Sequence, residues 1–347
     1  MPPEPVVGWD VGGAHLKAAR LGETGAIERV IQLPCPLWQG MERLEAALAE
    51  ALAALGPAGL HAVTMTGEMV DLFAGRNEGV AAILGAMRKA LAGATLRVWA
   101  GRAGLVSAEE AHRLTAQVAS ANWLASATLV AQRLDAAILV DIGSTTTDLV
   151  PVAGGAVLAR SATDAERLAA GELVYTGVVR TPVMALADRV PFAGDWVPLM
   201  AEFFATAADV YRLTGRLPEG VDLHPAADGG PKTVPASARR LARMIGRDVE
   251  SAPEAAWERL ARWLAERQLR RIQDACDRIL SREDLPAGAP LVGAGVGRFL
   301  AAELAERLRR SYLDFGRLLG GPEAERARGA DCAPAVAVAW LAGRGGD

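Results

Sequence analysis

The sequence has few cysteines and histidines, and they are widely scattered. Cys35, Cys276 and Cys332 form no Cys-x-x-Cys pair, and the four histidines add no Cys/His spacing. A disulfide framework needs an even set of cysteines at short spacings, and structural zinc needs paired ligands. The pattern therefore argues against both a disulfide scaffold and a structural zinc site.

The sequence also lacks an excess of positive charge and a long apolar run. It carries 37 Lys and Arg against 41 Asp and Glu, a net charge of −4. Nucleic-acid and membrane-surface proteins usually present a clustered positive face, and a bilayer span needs about 20 apolar residues in a row. We therefore expect no nucleic-acid partner, no membrane association and a cytoplasmic location.

What is present is enough apolar material for two folded domains. Of the 347 residues, 51% are hydrophobic and 22% are charged, a composition typical of globular proteins. The order of predicted elements repeats: a three-strand meander begins at Val6, helices and strands alternate, and a second three-strand start begins at Ala136. The repeat predicts an α/β fold of two similar domains, 1–134 and 135–347, with an insertion at about 172–250 where Pro, Gly and Asp are frequent.

The first strand ends in a motif suited to phosphate. Asp10 follows the strand, Gly12 and Gly13 turn the chain, and Lys17 lies on the next strand. Glycines let a turn approach a phosphate with its backbone N–H groups, and a lysine adds a point charge. The alternative is a plain β-hairpin with a Gly-rich turn.

A second motif repeats the first with hydroxyl donors. Asp141 ends a strand, and a turn rich in Ser and Thr leads to a further carboxylate; the candidate ligands are Gly143, Ser144, Thr145, Thr146 and Asp148. Hydroxyl groups can bind phosphate oxygens or metal-bound water. Two such motifs, each opening a meander, are far more specific than one.

A third Gly-rich segment lies near the C-terminus. Gly293, Gly295 and Gly297 separate a short strand from a predicted helix. Glycines before a helix N-terminus can form an anion site or a floor for a flat ring. A dinucleotide-binding fingerprint fits poorly, because no further βα unit with a ribose-binding acid follows.

These three motifs, in this order, resemble the two phosphate motifs and the adenosine motif of the actin, heat-shock chaperone and sugar-kinase superfamily. Its fold consists of two ribonuclease-H-like domains around a phosphate cleft. Other segments narrow the resemblance to short hydantoinase/oxoprolinase relatives linked to tetrahydromethanopterin one-carbon metabolism: 64–73, 120–125, 175–182 and 240–248. Where the first turn of that family carries Asn, this chain has His15.

The resemblance implies a condensation in methanofuran-type cofactor biosynthesis. An aminomethyl-furanmethyl diphosphate would be joined to the phenol oxygen of a tyramine–glutamate conjugate, giving an aryl ether and pyrophosphate. Full-length oxoprolinases are much longer than this chain, so ATP-driven ring opening is not what we expect of it. A furfuryl carbon ionises readily, so the enzyme mainly has to neutralise pyrophosphate and exclude water.

This chemistry suggests roles for particular side chains. We expect Asp10 and Asp141 to hold Mg²⁺, Lys17 to bind the diphosphate, and Glu68, which is otherwise a solvated loop acid, to take the phenol proton. Arg180 could bind the diphosphate or carboxylates, or lie on the surface. Asn122 could line the substrate pocket.

Two other functions remain open from the sequence. One is an ATP-dependent small-molecule kinase, for which Asp71 is the nearest candidate base. The other is a nucleotide-gated binding protein without chemistry. ATP is compatible with the Gly293 segment but is not required by the leading interpretation, and a homo-oligomer is compatible with the sequence. In every case we expect a small phosphorylated ligand.

Overall fold

The computed structural model describes residues 4–344. Its strands are β1 (Val6–Val11), β2 (His15–Leu21), β3 (Ile27–Pro34), β4 (Leu60–Met65), β5 (Thr95–Trp99), β6 (Leu105–Ser107), β7 (Ala136–Ile142), β8 (Thr147–Ala153), β9 (Ala156–Val157), β10 (Leu173–Val174), β11 (Arg189–Phe192), β12 (Asp195–Pro198), β13 (Leu291–Ala294) and β14 (Tyr312–Asp314). Its α-helices are α1 (Met41–Leu55), α2 (Arg76–Ala90), α3 (Ala108–Ala111), α4 (Thr115–Val118), α5 (Asn122–Ala131), α6 (Asp164–Ala170), α7 (Ala207–Leu213), α8 (Val234–Met244), α9 (Glu254–Leu280), α10 (Arg298–Arg307), α11 (Glu323–Asp331) and α12 (Ala333–Arg344).

Two mixed sheets share one topology. The first has the order β3-β2-β1-β4-β5-β6, and the second has the order β10-β8-β7-β13-β14, with β9 also pairing with β8. In each, an antiparallel pair is followed by strands that join in parallel, β4 beside β1 and β13 beside β7. This repeat is the ribonuclease-H-like architecture, so the predicted fold class is confirmed.

Three apolar clusters place the sheets between layers of helices. One cluster packs α1 and α2 on the first sheet, one lies between the two sheets around α5 and α12, and one packs α7 to α10 on the second sheet. Helix α12 approaches β1 so closely that a Cβ on Gly8 would collide with the backbone of Ala335 and Ala339. Small residues at this crossing therefore fix the first sheet against the shared core.

The helices α5 and α12, which lie between the two sheets, each pack against the sheet formed by the other half of the chain. Helix α5 packs against β7, β8 and β9 of the second sheet, and α12 packs against β1, β2 and β4 of the first. The predicted boundary at residue 134 stays a prediction. The packing shows that a segment on each side of it contacts the opposite sheet.

The predicted insertion contains more regular structure than its composition indicates. It includes the hairpin β11–β12 and the helices α7 and α8, and α8 begins where Thr233 caps the helix by accepting a hydrogen bond from the N–H of Ala236. Leu173–Val174 pairs with β8. The first residues of the predicted insertion therefore belong to the second sheet, and its bounds of about 172–250 stay a prediction.

Residues 4–344 include no helix that is both long enough and apolar enough to cross a bilayer.

Candidate active site

The two predicted turns have the same geometry. The N–H of Gly12 donates to the carbonyl of His15 at 2.9 Å, and the N–H of Gly143 donates to the carbonyl of Thr146 at 2.8 Å. Asp10 is opposite Lys17 in the first hairpin, and Asp141 is opposite Asp148 in the second. The two hairpins thus share one backbone geometry, but the residue opposite the strand-end aspartate is a lysine in the first and a second aspartate in the other.

Both turns line a single cavity of about 500 Å³ between the two sheets. The cavity brings together most of the residues singled out from the sequence: Asp10, Gly12, Gly13, Lys17, Asn122, Gly143, Ser144, Thr145, Thr146, Asp148 and Arg180. Asp141, Glu68 and the three glycines of the third motif do not line it. We call this cavity the cleft.

The carboxylate of Asp10 is buried and only loosely paired. Its Oδ2 lies 3.8 Å from Lys17 Nζ, and its Oδ1 accepts a long 3.5 Å hydrogen bond from Asn122 Nδ2. Burial raises the pKa of Asp10, and Lys17 and Asn122 only partly offset this effect. Burial alone would lower the pKa of Lys17, but Asp10, Asp141 and Asp331 raise it overall. The ammonium group therefore stays charged in the cleft.

Asp141 is also in an unfavourable environment for a negative charge. Burial and the neighbouring Asp148 raise its pKa to about 7. Its carboxylate lies beside the backbone of Gly295, where a Cβ would be 2.5 Å from Oδ1. The site therefore favours a cation or a proton close to Asp141.

Asp148 is paired with an arginine that the sequence did not indicate. Arg167 Nη1 lies 2.8 Å from Asp148 Oδ1, and the Arg167 side chain is 1% exposed. The guanidinium also stacks on Trp123, 3.9 Å from the ring centroid. Asp148 is therefore engaged by Arg167, which leaves it less available for a phosphate or metal than the motif suggested.

Glu68 lies in the protein interior, not on the surface of the cleft. It is 1% exposed, its Oε1 accepts a 2.8 Å hydrogen bond from Ser120 Oγ, and its Oε2 has no partner among the described residues. Burial raises its pKa. Ser120 separates Glu68 from the cleft, so direct contact between Glu68 and a phenol there would require a rearrangement.

The third Gly-rich motif is buried and covered by side chains. A Cβ on Gly293 would lie 2.6 Å from the ring of Tyr312, and one on Gly297 would lie 2.5 Å from Ile142. Arg298 closes the same region by pairing with Asp314 at 2.8 Å and with Asp331. In this conformation the three glycines stabilise packing between β13, β7 and α10 and offer no open surface for a ring.

A cluster of two histidines and a tryptophan beside the cleft was missed from the sequence; His15 and Trp38 line the cleft, and His224 packs behind them. His15 is 6% exposed, and its Nε2 has no partner among the described residues. Its ring centroid lies 4.9 Å from that of His224, which is 5.5 Å from that of Trp38. These residues come from β2, the inserted segment and the loop after β3, so no local sequence pattern could indicate their contact.

The carboxylates of the cleft are too dispersed to form a complete protein-built metal cage. Among residues 4–344, no group of three or more His, Cys, Asp and Glu side chains is arranged to hold a metal ion. Asp10, which lines the cleft, still fits Mg²⁺, because this ion keeps waters and is usually bound by one or two carboxylates together with substrate phosphates. Asp141 lies behind the cleft surface but close enough to Asp10 for their charges to interact, so it could hold the ion through a water. The raised pKa of each carboxyl, due first to burial, indicates a need for added positive charge.

Comparison with known proteins gives a consistent relationship. The hydantoinase/oxoprolinase family model matches residues 60–313. The chain is 31% identical over 281 residues to a Methanocaldococcus jannaschii protein, covering 81% of this chain and 83% of the relative. It is 34% identical over 124 residues to a Methanococcus vannielii protein, covering 35% of this chain and 55% of that one. Both are described as (4-{4-[2-(gamma-L-glutamylamino)ethyl]phenoxymethyl}furan-2-yl)methanamine synthase.

A solved structure supports the fold independently. The chain is similar to nucleotide-free acetone carboxylase with a TM-score of 0.56, at 12% identity, covering 87% of this chain and 67% of that chain. Identity this low speaks to the fold alone.

Proposed function

Because the chain belongs to the hydantoinase/oxoprolinase family, we propose that it is a transferase that forms an aryl ether in methanofuran-type cofactor biosynthesis. Its substrates are an aminomethyl-furanmethyl diphosphate and the phenol of a tyramine–glutamate conjugate. Its products are the ether and pyrophosphate. The relatives of this chain are described by the corresponding ether product.

The observation that carries the proposal is the pair of equivalent turns on one cleft. Gly12 and Gly13 approach from one half of the molecule, and Ser144 and Thr145 approach from the other. A diphosphate has two anionic groups, and two opposed turns with backbone N–H and hydroxyl donors suit it better than a single turn does.

The cationic side chains of the cleft match a leaving diphosphate. Lys17 is held charged by its carboxylate neighbours, and Arg180 has no carboxylate partner among the described residues. Burial lowers the pKa of Arg180, which is the behaviour of a cation that lacks a compensating anion. An incoming diphosphate supplies that anion.

Asp10 and Asp141 are the residues that would hold Mg²⁺. When bound, the ion supplies charge neutralisation for the pyrophosphate oxygens as they leave. Asn122 orients Asp10 through its long hydrogen bond, and Asn122 Oδ1 itself accepts a 2.8 Å hydrogen bond from the N–H of Trp123. The start of α5 therefore positions the carboxylate.

The reaction exchanges one carbon–oxygen bond for another. The bond between the furfuryl carbon and the diphosphate oxygen breaks, and its electron pair leaves with pyrophosphate. The phenol oxygen forms the new bond to that carbon, and the phenolic proton departs on the released pyrophosphate. The residues of the cleft stabilise the leaving charge, which is the main electrostatic requirement of such a step.

The closed third motif supports the diphosphate mechanism over an ATP-dependent kinase. Tyr312 lies against Gly293, and Arg298 is held by Asp314 and Asp331. A nucleotide base placed there would have to displace the Tyr312 ring and break the pairs of a partly buried arginine.

Isothermal calorimetry with magnesium tests this proposal, comparing pyrophosphate with ATP. We expect pyrophosphate to bind at least about tenfold more tightly than ATP, a difference of about 1.4 kcal/mol. Asp10→Asn should weaken the magnesium-dependent binding of pyrophosphate. Tight ATP binding with weak pyrophosphate binding would overturn the proposal in favour of a kinase.

A further inference from the structure

A second cavity of about 530 Å³ lies beside the cleft. The two cavities share four lining residues: Trp38, Thr145, Tyr175 and Arg180. The remaining walls of the second cavity come mainly from the loop before β11 and from the inserted segment, including Phe203, Thr206, Asp222 and His224. A molecule in this cavity would therefore meet a molecule in the cleft at the shared residues.

The second cavity is bordered by aromatic rings that are unusually open to solvent. Trp38 is 40% exposed, Tyr175 is 51% exposed and Phe203 is 50% exposed. Single exposed apolar side chains are common on protein surfaces, but these three line one concavity. Aromatic rings that converge on a cavity favour a flat aromatic ligand, through stacked or edge-to-face contacts.

Two arginines line this cavity: Arg212 is paired with carboxylates, and Arg180 is free to bind an anionic or polar ligand. Arg212 forms ion pairs with Asp209 and, at 2.5 Å, with Asp222. Arg180 stacks on Trp38 at 5.2 Å from the ring centroid and makes only a long 3.5 Å contact with Thr145 Oγ1. Its guanidinium has no carboxylate partner in residues 4–344. The available positive charge therefore lies at the junction of the two cavities.

A polar group without a partner lies beside the junction. The inserted segment reaches the first turn through His224, whose Nε2 is 2.9 Å from the carbonyl of Ala14. His15 packs against His224, and its buried Nε2 has no hydrogen-bond partner in the described part of the chain. A buried ring nitrogen without a partner is costly, and a ligand hydroxyl could satisfy it.

We propose that the second cavity is the binding site of the aromatic acceptor, a phenol with an amide-linked acidic tail, and that it presents the phenol oxygen at the junction beside Arg180 and His15. The inference rests on the proposed function and adds to it the location of the second substrate. The aromatic rim contacts the phenol ring, and the phenol O–H points toward His15 on the cleft side of the junction, where a turn of the buried imidazole would let Nε2 accept its hydrogen bond. The diphosphate occupies the cleft on the other side of Arg180.

A substitution that fills the second cavity tests the inference without touching the cleft. Ala185 is exposed and lines only the second cavity, and the adjacent Met184 lines neither. We expect Ala185→Trp to raise the Kd of γ-glutamyl-tyramine at least about tenfold, because the indole occupies the volume of the phenol ring. The matched control Met184→Trp should leave this Kd within about twofold, and both variants should bind pyrophosphate like the wild type.

A second variant tests the position of the phenol oxygen. His15→Phe removes the ring nitrogen but keeps a ring, and it should weaken γ-glutamyl-tyramine more than its analogue without the phenol hydroxyl, γ-glutamyl-phenethylamine. Equal weakening of both ligands would overturn the assignment of His15. Calorimetry on the purified full chain gives all these constants.

The outcomes separate the acceptor site from the proposed function. If the wild type forms the ether but Ala185→Trp keeps the wild-type Kd and KM for the phenol, the acceptor binds elsewhere and the inference is wrong. If the wild type forms no ether but binds γ-glutamyl-tyramine in a manner sensitive to Ala185→Trp, the proposed reaction is wrong and the binding site stands. Absence of any γ-glutamyl-tyramine binding with pyrophosphate present would also overturn the inference.

Discussion

At the residue scale, the two hairpins differ in the side chain that faces the acidic strand end. Lys17 faces Asp10, whereas Asp148 faces Asp141. The first half thus supplies a cation to the cleft, and the second half supplies two neighbouring carboxylates, one of which is neutralised by Arg167. Burial, followed by repulsion from Asp148, raises the pKa of Asp141 to about 7, and Lys17 offsets this only in part.

Neutralising Asp141 should abolish function without unfolding the protein. Asp141→Asn removes a carboxylate that burial already disfavours, so we expect unchanged or slightly higher thermal stability. Magnesium-dependent ether formation should fall by about 100-fold or more, since the proposed metal loses one of its two protein ligands. Activity assays and calorimetric scans on the same preparation measure both effects.

The control for Asp141→Asn is Asp71→Asn, because Asp71 is the aspartate that a kinase mechanism would require as base. Its side chain is exposed at the edge of the cleft. We expect ether formation to stay within about threefold of the wild type. Wild-type rates in Asp141→Asn, or a large loss in Asp71→Asn, would contradict the assignment of the metal ligands.

The buried His15 should make stability depend on pH. Burial, followed by Lys17 and His224, lowers its pKa from 6.5 to about 3. The unfolded chain therefore binds a proton below about pH 6.5 that the folded chain does not, so stability is fully present above this pH and falls toward pH 3. Between pH 6.5 and 4, the unfolding free energy of His15→Asn should therefore fall by roughly 1–3 kcal/mol less than that of the wild type.

Urea unfolding of the wild type and His15→Asn across this pH range gives the measurement for His15. The difference in unfolding free energy between the two proteins should change with pH below 6.5 and stay constant above it. A constant difference over the whole range would show that His15 titrates normally.

At the element scale, β13 and its Gly-rich end act as a structural support for the second turn. The N–H of Gly297 donates to the carbonyl of Ile142 at 2.8 Å, and the N–H of Gly295 donates to the carbonyl of Ala330 at 2.8 Å. Gly295 has a φ of +77°, in the left-handed region that favours glycine. These contacts fix the end of β7, where Asp141 lies.

Gly295→Ala should therefore impair both stability and activity. The new Cβ would collide with the carbonyl of Ile142 and lie 2.5 Å from Asp141 Oδ1. We expect a loss of roughly 2–4 kcal/mol in unfolding free energy, together with a lower kcat. Gly154→Ala is the control: its φ is +58° but a Cβ there meets nothing within 4 Å, so it should cost only about 1 kcal/mol. Equal losses in both variants would indicate backbone strain alone.

The sequence predicted the turns and the shared topology well, because alternating apolar strands and glycines act locally. The two predicted three-strand starts are present as β1 to β3, from Val6, and as β7 to β9, from Ala136. The frequent Gly and Pro of the insertion gave no indication of a helix, yet α8 forms there.

The contacts that decide the site could not be predicted in the same way. Arg167 with Asp148, and His224 with His15, join residues that are distant in the sequence and carry no spacing signal. The third motif looked like a ring-binding floor because glycine patterns do not reveal which side chain covers them. Tyr312 occupies that space.

At the scale of the whole molecule, the two halves are also joined by a charged contact at the edge of the cleft. Arg76 begins α2 and Asp164 begins α6, and their side chains pair at 2.7 Å. Both lie near the cleft, with Asp164 among its lining residues. The pair favours a closed arrangement of the two halves around a ligand.

Breaking this pair should affect substrate binding more than stability. Arg76→Ala removes a partly exposed ion pair, so we expect less than about 1 kcal/mol of stability change. If closure is weakened, the KM for the furanmethyl diphosphate should rise roughly threefold or more. Asp164→Ala should raise this KM by a similar factor, and the double variant should raise it no further than either single variant does.

Lys89→Ala is the matched control for Arg76→Ala. It breaks a surface pair with Glu45 at 2.9 Å that lies within the first half of the molecule. The KM should stay at the wild-type value. Additive effects of Arg76→Ala and Asp164→Ala, or an equal rise in KM for Lys89→Ala, would show that the cleft does not depend on this contact.

An oxygen isotope followed through the reaction shows most directly which carbon–oxygen bond breaks and whether ATP is needed. Purified protein is incubated with magnesium, the aminomethyl-furanmethyl diphosphate and γ-glutamyl-tyramine labelled with ¹⁸O in the phenol, without ATP, and the products are analysed by mass spectrometry. We expect an ether that retains the ¹⁸O and an equal amount of unlabelled pyrophosphate, because the furfuryl carbon–oxygen bond breaks. An ether formed only when ATP is added, or ¹⁸O found in pyrophosphate, would contradict this expectation.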